Sequence, residues 1–156
     1  MNPIVSLKEF VQEMEMAHDE GHNYLNVRTG EFVFLTDEEL EAAESGEDSE
    51  TMPEWQRELV RIAGEVLGSD DYQELPTRFE IHEYAIMERF SFSVADDEMS
   101  DRLLRSIRGR GAFRFFKDTI HDLGIADDWY AFRTQTFKEM AIGWLEEHGV
   151  PFFDDL

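Results

Sequence analysis

The segment Tyr24-Leu-Asn-Val-Arg-Thr-Gly-Glu-Phe-Val-Phe-Leu35 limits the fold of this chain more than any other stretch. Apolar and polar residues alternate on both sides of Thr29-Gly30, the pattern of two strands joined by a tight turn. A two-residue turn there pairs Arg28 with Glu31, Val27 with Phe32 and Leu25 with Phe34. That register gathers Leu25, Val27, Phe32 and Phe34 on one face and sets Arg28 opposite Glu31 on the other. Two strands alone are marginal in water, so other elements must cover the apolar face. The rest of the chain offers helices. The expected fold is α+β, predominantly α-helical: a single domain over residues 1–156 with one small antiparallel β-hairpin at about 23–35.

The helical signals are regular. Ser6 and Glu9 form a capping box, opening a helix to about Ala17 with Phe10, Val11 and Met14 inward and Gly21 at its end. Thr36 and Glu39 repeat that signature for a short helix to about Ala43. Residues 45–52 are polar and acidic and read as a loop or linker within the domain. Pro53 suits the first turn of a helix through Trp55, Leu59, Ile62 and Val66 that stops at Gly68. Leu75-Pro76 marks a bend, and Phe79, Ile86, Met87 and Phe90 trace a helix ending near Val94. Asp96 or Asp97 caps the next, whose stripe is Met99, Leu103 and Ile107. After Gly109 and Gly111 the period restarts at Phe113, Phe116 and Ile120. A last helix runs from Asp127 or Asp128 to His148, its apolar positions including Trp129, Phe132, Phe137 and Trp144. The tail Pro151–Leu156 either packs back on the domain or forms a short docking segment.

Composition bounds the chemistry. Hydrophobic residues make up 42% and aromatics 13%, enough for a core and far from a disordered chain. Cysteine is absent, which excludes disulfides and every thiolate-based site. The chain shows no basic-then-apolar leader, and no apolar run approaches the roughly 18 residues of a membrane span, so a cytoplasmic location is expected. Thirty-six acids against fourteen bases leave a net charge of −22, which repels nucleic acid and anionic membranes at long range. Solubility, a high-salt cytoplasm, a GC-rich genome or imitation of nucleic acid all fit such a balance.

Against that background one stretch stands apart. Arg102–Lys117, RLLRSIRGRGAFRFFK, holds six of the fourteen bases and no acid. Arg102 and Arg105 share a helical face away from the apolar stripe. Arg108, Gly109, Arg110 and Gly111 then lead into a new helix start, followed by Arg114 and Lys117. Free amides at a helix N-terminus beside guanidinium forks suit an anion, and Phe115 falls off the Phe113–Phe116–Ile120 stripe toward solvent. The competing reading makes Gly109 an ordinary helix stop and pairs the arginines with the chain's own carboxylates.

The block Ile107-Arg-Gly-Arg-Gly-Ala-Phe-Arg-Phe-Phe-Lys-Asp118 also carries a likeness, with Met87-Glu-Arg-Phe90, Trp129-Tyr-Ala-Phe132 and Trp144-Leu145. Together with Thr29-Gly-Glu31 and Leu35-Thr-Asp-Glu-Glu-Leu40, it resembles a bacterial family of uncharacterised proteins of the UPF class over most of the chain. The pattern departs at Phe115, where arginine or another polar residue is expected. The resemblance implies no activity.

Other candidates are weaker. His18, Asp19 and His22 have a metal-like spacing that Gly21 interrupts, and no third ligand is near. Glu80, His82 and Glu83 read as a wet helical face, Asp118 and His121 as a surface pair, and His148 as a charge near a helix end. No nucleophile elbow, P-loop, dinucleotide fingerprint or zinc-protease motif is present. No catalytic, metal or cofactor site is therefore expected. The favoured expectation is a small non-enzymatic binding or regulatory protein that holds an acidic protein or phosphate-bearing ligand through Arg102, Arg105, Arg108, Gly109, Arg110, Gly111, Arg114 and Lys117. Nucleic acid is a possible occupant that net charge opposes, and no membrane partner is expected. The alternatives are an acidic, nucleic-acid-mimic-like protein engaging a basic partner through 37–50, and a small hydrolase or transferase.

Overall fold

A hairpin forms around Thr29-Gly30, but its register differs from the expected one. In the computed structural model, which describes residues 4–16, 21–46 and 51–156, strands β2 (Gly21–Asn26) and β3 (Phe32–Thr36) pair antiparallel with Leu25 opposite Phe32 and Asn23 opposite Phe34. The shift is two residues, and Asn26 is its cause. Its side-chain Oδ1 accepts from the Arg28 and Thr29 amides at 2.9 and 3.1 Å, folding the chain into a wider turn. Gly30 closes that turn at φ 80°, its amide on the Asn26 carbonyl at 2.7 Å. A one-residue slip would have moved every side chain to the opposite face, whereas a two-residue slip keeps each where alternation places it. Leu25 and Phe32 therefore still share a face, while Val27 falls beyond the strand.

The chain divides into two compact units, residues 1–80 with 141–156, and residues 81–140. The first is built on the sheet. A third strand, β4 (Tyr72–Glu74), pairs with the other side of β2, giving the order β3-β2-β4. One sheet face packs on α2 (Asp37–Ser45) and α3 (Glu54–Leu67), where Leu35, Ala63 and Val66 form a buried cluster with Tyr24, Leu40, Ile62 and Tyr72 against it. The opposite face meets α1 (Leu7–Glu15), whose Phe10 lies edge-on to Phe32 at 6.0 Å. Phe10 also contacts Trp144, whose Nε1 donates to the Glu74 carbonyl at 3.0 Å. The tail packs back: β5 (Phe152–Phe153) pairs parallel with β1 (Val5–Ser6). Ser6 Oγ caps α1 by accepting from the Glu9 amide at 3.1 Å, as its capping box predicts, and donates to Asp155 at 2.6 Å. That bond, with the Lys8 amide, holds the Asp155 carboxyl below its ordinary range. Thr36 heads α2 without a side-chain cap, and Glu39 is buried. Of the acidic stretch 45–52, Ser45 ends α2 and Gly46 follows in the left-handed region, while 47–50 lie outside the described residues.

The second unit is helical. After α4 (Arg78–Ile81), at the boundary of the two units, His82 takes a left-handed φ of 51°. The expected single helix is thereby split, and Phe79 is left 92% exposed. The unit continues with α5 (Glu83–Ser93), α6 (Asp97–Ser106), α7 (Ala112–Asp122) and the first part of α8 (Ala126–Glu147). Asp96 caps α6 through the Met99 amide at 3.0 Å. The core is an aromatic cluster: Phe90 stands edge-to-face against Phe116, Trp129 and Phe132, and Phe116 meets Trp129 at 4.8 Å. Ser100 Oγ donates to the Ser91 carbonyl at 2.7 Å, pinning α6 to α5.

Candidate functional site

The Arg102–Lys117 stretch folds as the C-terminal half of α6, a turn over 107–111, and the first half of α7. Leu103 and Ile107 are buried, so 3.6-residue periodicity turns Arg102 and Arg105 outward. Gly109 and Gly111 both sit in the left-handed region, at φ 82° and 76°, which reverses the chain without strain. Gly111 is the residue before α7, and it supplies no side-chain cap; no acidic residue occupies the first turn. Among the described residues no side chain caps the amides there, unlike those of α6, which Asp96 caps and Asp97 and Glu98 follow.

All six basic side chains, Arg102, Arg105, Arg108, Arg110, Arg114 and Lys117, are exposed. Among the described residues none of them forms an ion pair. Asp101 and Arg105 are spaced for an i,i+4 pair, yet Arg105 Nε donates to the Asp101 backbone carbonyl at 3.3 Å. An open cavity of about 500 Å³ brings Arg102, Arg105 and Arg108 together with Ser106, Phe115 and Thr119. Ser106 Oγ and Thr119 Oγ1 spend their protons on the Leu103 and Phe115 carbonyls at 2.6 and 2.7 Å, leaving the guanidinium groups as its side-chain donors. Phe115 is 53% exposed as its position off the stripe predicts. Arg110 and Arg114 do not line this cavity, and Lys117 lines a different one beyond α7. Phe113 differs from expectation. It is 52% exposed, because Phe116, with Phe90, fills the space beside Trp129.

A second charged cluster lies on the sheet unit, and sequence reading missed it. His22 Nδ1 lies 2.5 Å from Glu74 Oε1, and its Nε2 lies 2.8 Å from Asp37 Oδ1. Ionised carboxylates only accept, so an imidazole between two of them donates from both nitrogens and is protonated. Burial opposes that charge, but the bonds to Glu74 and Asp37 outweigh it and hold the His22 pKa above its ordinary value. Burial and the same two carboxylates push the Tyr24 hydroxyl up. Glu74 is fifty-two residues from His22, so no local pattern joins them.

The weaker candidates disperse. His18 and Asp19 lie outside the described residues, and among those described no group of three or more His, Asp or Glu is placed to hold a metal ion. Glu80 forms a capping box with Thr77, which the sequence pattern T-x-x-E announces. Glu83 pairs with Arg133, and His148 stacks on Trp144. His82 and His121 are exposed, and neither meets a carboxylate among the described residues. In the acidic stretch 37–50, Asp37 is bound to His22 and Glu39 is only 2% exposed, so Glu38, Glu41 and Glu44 form its described surface. Among the described residues no helix is long and apolar enough to cross a membrane.

The model of a family described as Uncharacterised protein family (UPF0158) matches residues 1–155. No curated protein and no solved structure matches the chain.

Proposed function

The chain belongs to this uncharacterised family, UPF0158, and from its own geometry we propose that it is a small cytoplasmic binding protein that holds an acidic or phosphate-bearing partner at the α6–α7 junction. One observation supports the reading above the rest. Six exposed cations crowd one helix junction in a chain of net charge −22, and none is paired among the described residues. Like charges held together without counter-ions cost energy, and an incoming anion relieves it. Arg102, Arg105 and Arg108 supply bidentate donors on one side of the turn, and the amides after Gly111 add a helix N-terminus on the other. Arg110 in the turn, with Arg114 and Lys117 on α7, adds three further exposed cations.

The test is fluorescence anisotropy with two labelled probes, a twelve-residue polyglutamate and a serine-phosphorylated peptide, at low and moderate salt. The wild-type chain binds at least one, and affinity falls with salt. The double substitution Arg108→Gln and Arg110→Gln weakens binding about tenfold or more, as loss of charge-assisted bonds implies, with an unchanged circular dichroism spectrum. Binding that ignores the double substitution sinks the reading, as does failure of both probes at low salt.

A further inference from the structure

The far side of α7 carries a second feature that the arginine strip does not use. A cavity of about 220 Å³ opens between α5, α7 and α8 within the helical unit. Its floor is apolar: Met87, Phe116 and Trp129 are 2%, 2% and 6% exposed. Its rim carries the half-exposed rings of Phe113 and Tyr130 and the Lys117 ammonium. The remaining polar groups satisfy each other, since Arg133 Nε donates to Glu83 Oε1 at 2.5 Å and its guanidinium lies 4.3 Å over the Phe137 ring. This volume falls below the roughly 300–1,000 Å³ of clefts that hold whole small molecules. It matches one side chain instead.

Building on the anion reading above, we propose that the partner is an acidic protein segment that seats one aromatic or large aliphatic side chain in this cavity. Lys117 connects the two features, lining the cavity while belonging to the basic strip. A carboxylate flanking the anchor residue meets Lys117, and further acids along the segment meet Arg114 and Arg110. Charge complementarity thus sets the chemistry around the anchor, and the apolar floor sets the anchor. A nucleobase is the rival occupant, and it fits less well. Its polar edge demands several donors and acceptors, whereas Glu83 and Arg133 are already engaged with each other and a buried unpaired edge is penalised. The floor rings also stand edge-to-face, Phe116 and Trp129 at 78°, offering no open stacking platform. A hydrocarbon side chain leaves nothing unsatisfied.

The experiment is a binding array of acidic twelve-residue peptides that differ only at the central position, which runs through all twenty residues. A twelve-nucleotide oligouridine is measured beside them. The full-length chain binds peptides centred on Phe, Tyr, Trp, Leu or Met on the order of tenfold more tightly than those centred on Ser or Gly. Tyr130→Gln, at an exposed rim position, levels that preference, and Phe113→Gln does the same as an independent variant. Arg108→Gln with Arg110→Gln weakens every peptide alike and keeps the preference. An array that binds but is flat across the twenty residues overturns the anchor and leaves the anion site standing. Oligouridine bound more tightly than every peptide overturns it in favour of nucleic acid. An array with no binding at all overturns the anchored acidic segment, while the anion site itself is then decided by the phosphorylated peptide of the anisotropy test.

Discussion

The two units differ in charge more than in size. Residues 81–140 carry eleven acids and nine bases, a net charge of −2, while the remainder carries twenty-five acids and five bases, a net of −20. In the acidic unit two cations are held by carboxylates: Arg28 meets Asp71 at 3.4 Å, and Arg61 bridges Glu58 and Glu65 along α3. In the helical unit acids and bases nearly balance, yet the six cations of the α6–α7 junction are left unpaired among the described residues. The difference shows that pairing follows neither overall supply nor helical spacing alone. Arg61 meets the carboxylates one helical turn away on either side, whereas Arg102, Arg105 and Arg114 have Glu98, Asp101 and Asp118 at the same i,i+4 spacing and, among the described residues, pair with none of them.

The largest expected effects probe the two cores separately. Phe116→Ala empties the centre of the aromatic cluster and costs about 3–5 kcal/mol; Leu35→Ala removes a buried contact between sheet and α3 and costs about 2–5 kcal/mol. Hydrogen exchange read by peptide distinguishes them. Phe116→Ala lowers protection first within 81–140, and Leu35→Ala first within β2, β3 and α3. Equal loss across both units in either variant would break the comparison.

Next is the binding loss on neutralising Arg108 and Arg110, with a salt dependence that shrinks alongside it. If instead the melting temperature rises sharply with no change in binding, the cations are merely mutually repulsive and the contrast has no functional meaning.

A smaller effect belongs to the acidic unit. The pKa of His22 is raised in the folded chain, so its clamp on Asp37 and Glu74 contributes fully below the unfolded histidine value of about 6.5 and fades as pH rises through the folded value. Thermal stability therefore falls as pH rises from the unfolded histidine value of about 6.5 through the higher folded value, and His22→Gln removes that slope. Asp155 acts with the opposite sign: its lowered pKa contributes above the unfolded carboxylate range and is lost on acidification. A His22→Gln chain whose stability keeps the wild-type slope would place the pH response elsewhere.

The smallest effect tests the −20 unit as a field rather than a surface. Replacing Glu38, Glu41 and Glu44 by Gln leaves the contacts at Arg102–Arg108 intact but weakens long-range repulsion of an anion. Association with polyglutamate speeds up a few-fold at low salt, and the gain vanishes near 0.5 M salt, where the screening length is only about 4–5 Å. A gain that persists at high salt points to direct contact at α2 instead.

Much of this molecule was legible along the chain because the relevant forces act over one or two helical turns. The Ser6 and Asp96 caps, the outward arginines, the exposed Phe115 and the helical character all follow from neighbours three or four residues apart. Strand alternation even placed Leu25 and Phe32 on one face under the wrong register, since a slip of two preserves parity. Tertiary structure alone decided the rest. Asn26 set the turn length through side-chain bonds that strand patterning does not encode. The three residues of β4 are too few to show a period, and β1 and β5 join segments about 147 residues apart. Phe113 and Phe116 share one helical period, and only the packing of Trp129 and Phe90 chose which would be buried. The His22 clamp and the Lys117 cavity arise the same way: each needs groups from several elements, and sequence distance carries no information about which of them meet.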